Sequence, residues 1–82
     1  MAMTFVDKKQ VRKSLEAMGL HRLSEGKGGH EVWEDPNGRT VSASFHGRKD
    51  ISIALLYAMG QEMEGKGIMG RQEFIQRVKG RA

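Results

Sequence analysis

The chain has 82 residues, 38% hydrophobic and 29% charged, with no cysteine and a net charge of +4 from 14 Lys plus Arg against 10 Asp plus Glu. That length supports one modest core, so residues 1–82 are expected to form a single domain. The composition excludes a disordered chain, a disulfide framework and any thiolate metal site or thiol nucleophile.

No apolar run approaches the roughly 20 residues of a bilayer span, so no membrane partner is expected. The segment Met1–Val6 is apolar but lacks the basic start and the length of a secretory signal, which predicts a cytoplasmic protein. The pI near 9.8 points to a polyanionic partner, because neutralising phosphates releases counterions.

In chain order, Asp7 opens a helix over residues 7–18, with Gln10 spaced to complete a capping box. Val11, Leu15 and Met18 recur at helical spacing against a basic face, and Gly19 is the expected left-handed cap, with Leu20 folding back. A short strand over 20–24 is expected next, with Leu20 and one neighbour of Arg22 turned inward. The run Gly26-Lys27-Gly28-Gly29 then leads into His30-Glu31-Val32-Trp33, placing one imidazole after a stretch where a ligand or another backbone can come close.

His30 to Asp35 reads as a second strand, Asp35-Pro36-Asn37-Gly38 as a turn, and Arg39 to His46 as a third strand. In the third strand Val41, Ala43 and Phe45 share the core face, while Thr40, Ser42, Ser44 and His46 share a wet one. Strand parity puts Trp33 with Glu31, opposite His30 and Val32. Trp33 is therefore expected in the core, the alternative being a bulge that turns it out to stack on a base.

Asp50 is the expected N-cap of a long helix whose Ile51, Leu55, Met59 and Met63 lie along one stripe, ended by Glu64-Gly65-Lys66-Gly67. A last helix spans about 71–79 with Phe74, Ile75 and Val78 inward, and the final residues are expected to fray. This order predicts an α+β, two-layer α-β-β-β-α sandwich of the double-stranded-RNA-binding layout, with an extra short C-terminal helix and one open sheet face.

Several runs together resemble the HicA (YcfA-like) toxins of toxin–antitoxin pairs. They are Leu15-Glu16-Ala17-Met18-Gly19-Leu20, Gly28-Gly29-His30-Glu31-Val32-Trp33, Pro36-Asn37-Gly38-Arg39-Thr40-Val41 and His46-Gly47-Arg48-Lys49-Asp50-Ile51. The resemblance covers most of residues 7–63, in order. It implies a small basic mRNA interferase, an endonuclease that cleaves mRNA without a metal or other cofactor in a stress response and is held inactive by a HicB-like antitoxin. The family's catalytic histidine falls on His30. Its Gly-Ser-His motif is Gly28-Gly29-His30 here, Ser44 stands where the family has proline, and the 64–70 connection is longer and richer in glycine.

RNA carries its own nucleophile in the 2′-hydroxyl. Cleavage then needs a base for that hydroxyl, an acid for the departing 5′-oxygen and cations for the charge on phosphorus. Imidazole serves either proton role near neutral pH, which makes His30 the candidate general acid/base. His46 is a second candidate, open between a proton carrier and a cap or phosphate contact. Lys27, Gly28, Gly29, Arg48 and Lys49 are the candidate RNA- and phosphate-binding residues. His21, His30 and His46 match no short metal-ligand spacing, so no metal site is expected. Because Gly29 removes the motif's hydroxyl, the alternative function is a catalytically weak or inactive module that binds RNA or antitoxin.

Overall fold

The computed structural model describes residues 5–25, 30–45 and 48–80, and of Ser24 and Glu25 only the backbone. The element order is β1 (Phe5–Asp7), α1 (Lys8–Ala17), β2 (His21–Glu25), β3 (His30–Glu34), β4 (Thr40–Ser44), β5 (Asp50–Ser52), α2 (Ile53–Gly65) and α3 (Arg71–Lys79). The fold is α+β. Among the described residues it has three helices and two antiparallel sheets, one ordered β2-β3-β4 and one pairing β1 with β5. No helix among them is long and apolar enough to cross a membrane.

The first helix forms as its sequence dictates. Asp7 Oδ1 accepts the Lys9 N–H at 2.7 Å, and Val11 and Leu15 are fully buried. Gly19, at φ +90°, donates to Glu16 O, and Leu20 donates to Leu15 O, a Schellman ending that folds Leu20 into the core. Gln10 does not complete the capping box; its Nε2 donates to Val78 O at 2.6 Å and ties α1 to the end of α3. The same Schellman pattern ends α2, where Gly67 N–H meets Glu64 O and Ile68 N–H meets Met63 O.

In the larger sheet, Trp33 pairs with Val41 and Glu31 with Ala43 on the core face, while His30 pairs with Ser44 and Val32 with Ser42 on the other. Trp33, Val41, Ala43 and Phe45 are buried in one cluster with Val11, Leu15, Leu56, Met59, Met63, Phe74 and Val78 from the helices. The expected inward neighbour of Arg22 is absent. A register shift between Arg22 and Ser24 makes Leu23 a bulged residue, half exposed, and among the described side chains of residues 20–23 only Leu20 turns in.

Two departures concern residues 5–7 and 50–52. These segments pair antiparallel through Phe5↔Ser52, Val6↔Ile51 and Asp7↔Asp50, burying Val6 and Ile51. Asp50 is therefore a strand residue rather than the helix cap, and Ser52 caps α2 by accepting Leu55 N–H at 3.3 Å. Both Asp50 and Ser52 suit an N-cap chemically; the pairing of Ile51 with Val6 moves the helix start to the later one.

The outer edge of β4 is covered. Glu62 Oε1 accepts Ser42 N–H at 3.2 Å, Lys66 Nζ donates to Thr40 O, and Lys66 also pairs with Glu62 at 2.8 Å. Side chains of α2 and of its C-cap Lys66 thus satisfy backbone groups that would otherwise invite another strand.

Candidate active site

His30 is the first residue of β3 and is exposed on the open face of the sheet. Directly across from it on β4, Ser44 Oγ lies 3.2 Å from His30 Nδ1. A hydroxyl can donate to a bare ring nitrogen or accept from a protonated one, so this partner suits an imidazole that changes protonation during a reaction. The same face carries a second imidazole: His21 Nε2 lies 3.3 Å from Glu34 Oε1, far enough along the strands to form its own pair.

The tight turn of residues 35–39 sets the His30–Ser44 register. Asp35 Oδ1 accepts the Asn37 and Arg39 N–H groups, Oδ2 accepts Arg39 Nε at 3.0 Å, and Gly38 takes φ +84°. Burial pushes the Asp35 carboxyl up, but the Arg39 backbone and side-chain hydrogen bonds, the Arg39 charge and the Asn37 N–H outweigh it and leave it below its ordinary range.

Behind His30, on the core face, Glu31 is almost fully buried. Its Oε2 pairs with Arg12 Nη2 and with Arg22 Nη1 at 3.4 Å, and its Oε1 accepts Arg12 Nε and the Trp33 indole N–H at 3.1 Å. The Arg12 guanidinium also sits 5.8 Å from the centre of the Phe45 ring. Burial alone would raise the Glu31 carboxyl; the Arg12 and Trp33 hydrogen bonds and the Arg12 and Arg22 charges reverse that and lower it. The network clamps β3 to α1 and β2, which fixes the strand that presents His30.

Arg48 and Lys49 are exposed between β4 and β5. Arg48 N–H donates to Phe45 O at 2.9 Å, and Lys49 O accepts Lys8 N–H at 2.8 Å. They share a shallow concavity with Asp50 and with the exposed ring of Phe5. Lys27, Gly28, Gly29 and His46 lie outside the described residues.

Comparison with protein families, curated proteins and solved structures gives no match. The site is therefore read from its own chemistry. Of the candidates within the described residues, His30, Arg48 and Lys49 are all solvent-facing, and β4 ends at Ser44, the partner of His30, four residues before Arg48 in sequence. Among the described residues no three His, Asp or Glu side chains cluster as metal ligands. Sequence reasoning missed three contributors: Ser44 as the partner of His30, Glu31 as the buried anchor, and Phe5 as an exposed ring beside cations. Strand parity already put Glu31 with Trp33; the other two needed the register of β3 on β4 and the pairing of β1 with β5.

Proposed function

We propose that the protein is a metal-independent endoribonuclease of the HicA kind, the toxin of a toxin–antitoxin pair, acting on mRNA in the cytoplasm and restrained by a HicB-like antitoxin. In this reading α1, β2-β3-β4 and α2 correspond to the double-stranded-RNA-binding layout, with α3 as the additional helix. The observation that carries it is His30, exposed at the start of β3 with Ser44 Oγ 3.2 Å from its Nδ1. Arg48 and Lys49 supply cations for the phosphates, and the net charge of +4 favours an RNA partner.

The 2′-oxygen attacks the adjacent phosphorus, forming an O2′–P bond and breaking the P–O5′ bond. A base takes the 2′-proton and an acid returns a proton to O5′, leaving a 2′,3′-cyclic phosphate and a 5′-hydroxyl. His30 fills one of these proton roles, worth about 10²- to 10⁴-fold in rate. The hydroxyl that Gly29 cannot provide next to the histidine in sequence has a counterpart across the strand in Ser44.

The test is cleavage of RNA in EDTA by the parent and by His30→Ala, with a substrate carrying a 2′-deoxy at the cut site as control. The parent should cut the ribose substrate alone, and the variant should lose at least about 10²-fold. Equal cleavage by His30→Ala sinks the assignment. RNA binding without any turnover would instead support the binding-module alternative.

A further inference from the structure

An exposed aromatic ring sits beside two cations where β1 and β5 are clasped. Strand parity puts it there: Val6 and Ile51 turn into the core, which leaves Phe5 on β1 and Asp50 on β5 facing outward. Phe5 is 54% exposed, the most of any large apolar side chain among the described residues, and its strand partner is the small Ser52. A lone exposed apolar residue is ordinary. This one shares a shallow concavity with Arg48, Lys49 and Asp50.

Three properties of the patch bear on its occupant. The ring and the cations are held in place: Phe5 pairs with Ser52, and Lys49 O accepts Lys8 N–H at 2.8 Å, so two segments far apart in sequence are fixed against each other. The cations are not neutralised. Among the described residues no carboxylate, Asp50 included, forms an ion pair with Arg48 or Lys49, whereas Arg12, Arg39, Lys66 and Arg77 each have one. The Phe5 ring also has no cation over its face; among the described residues that contact is made by Arg12 with Phe45.

An acidic peptide would use the cations and leave the ring in water, and an apolar ligand would do the reverse. A nucleotide in a single strand carries a flat ring and a phosphate in one unit, and stacking on an aromatic face beside cations is how single strands are held. We infer that Phe5 is a stacking platform for one unpaired base of RNA, with Arg48 and Lys49 holding the phosphate next to it. The inference rests on the RNA reading above and adds to it a base-contacting residue and a substrate class. That class is RNA with unpaired bases, since only an unstacked base can lay a face on a protein ring. Asp50 is the carboxylate of the concavity; it repels phosphate and leaves the two cations as the place for it.

The experiment is a fluorescence-anisotropy titration of the intact chain with a short labelled 2′-deoxy single strand, which stacks as RNA does and lacks the attacking hydroxyl. Phe5→Ala should weaken binding about tenfold, within the range for loss of one stacked base. Phe5→Leu, which keeps apolar bulk without the ring, should weaken it nearly as much, and Phe5→Trp should bind at least as tightly as the parent. The salt slope should be the same for the parent and Phe5→Ala, because a neutral ring displaces no counterions. On an abasic strand of the same length the two proteins should bind alike, which also reports that the cations are still in place. The inference is overturned by unchanged affinity of Phe5→Ala, by full binding in Phe5→Leu, by an equal loss on the abasic strand, or by no saturable binding of the parent. Unchanged affinity would assign the ring to a protein partner instead. Cleavage that survives in His30→Ala removes the nuclease reading and leaves the stacking result standing.

Discussion

Ser44 reaches His30 only because β3 and β4 are held in one register. A slip by one residue would swing Ser44 to the core face and bring Phe45 out. The hydrogen bonds of Asp35 to Asn37, Arg39 and the Arg39 guanidinium prevent that slip. Removing the Ser44 hydroxyl leaves the register intact and takes away one hydrogen bond of about 1 kcal/mol. Ser44→Ala should therefore lower kcat about fivefold, while Ser44→Thr, which keeps the hydroxyl, recovers most of it in single-turnover cleavage assays. Glu31 contributes through stability. Its carboxyl is lowered in the fold, so its stabilisation is complete above the ordinary glutamate value of about 4.3 and is lost as pH falls through the folded-state value. Glu31→Gln should cost about 1–3 kcal/mol at neutral pH, because the half-exposed arginines regain water, and should flatten the decline in stability below about pH 4 in denaturant melts. Parity along β3 placed Glu31 on the core side without saying what would neutralise it there; its cations come from α1 and β2, remote in sequence.

Elements whose cause is local were legible from the chain. The first helix, its Gly19 ending, the Asp35–Gly38 turn, the alternation of β4 and the last helix all carry their signals within a few residues. At Gly19 the cost of change is purely conformational. A Cβ there would meet the Pro36 ring at ordinary contact distances, Cγ at 3.6 Å and Cδ at 3.9 Å, but φ is +90°. Gly19→Ala should therefore destabilise by about 1–2 kcal/mol. For a domain of this size each kcal/mol lowers Tm by about 4–8 °C, measurable by calorimetry. The elements that escaped notice are β1 and β5. Each is three residues long, and neither contains a period; Ile51 fits a helical stripe as well as a strand. What makes them strands is each other, through Val6 against Ile51, and no local window contains both. The bulge at Leu23 is similar, since the offset lies in how β2 pairs with β3 and not in the composition of β2 itself.

For the whole molecule, the excess of four positive charges acts at longer range than any one contact. Binding to single-stranded RNA should weaken steeply with salt, the slope scaling at about 0.7 per neutralised phosphate. The double variant Arg48→Ala/Lys49→Ala should reduce that slope by about 1–2 in fluorescence titrations, while His30→Ala leaves it unchanged. An unaltered slope in the double variant would remove these two residues from the interface.

The pairing of β1 with β5 has a consequence for the order of assembly. The two hairpins of the larger sheet join neighbours in sequence, whereas this clasp must bring residue 7 to residue 50, a closure whose entropy cost is met only after much of the chain is in place. Its strands also end in Asp7 and Ser52, the residues that cap α1 and α2. Opening it releases both helix starts in one event, so the amides at the heads of the two helices belong to one unit and should exchange with deuterium together, ahead of those of β3.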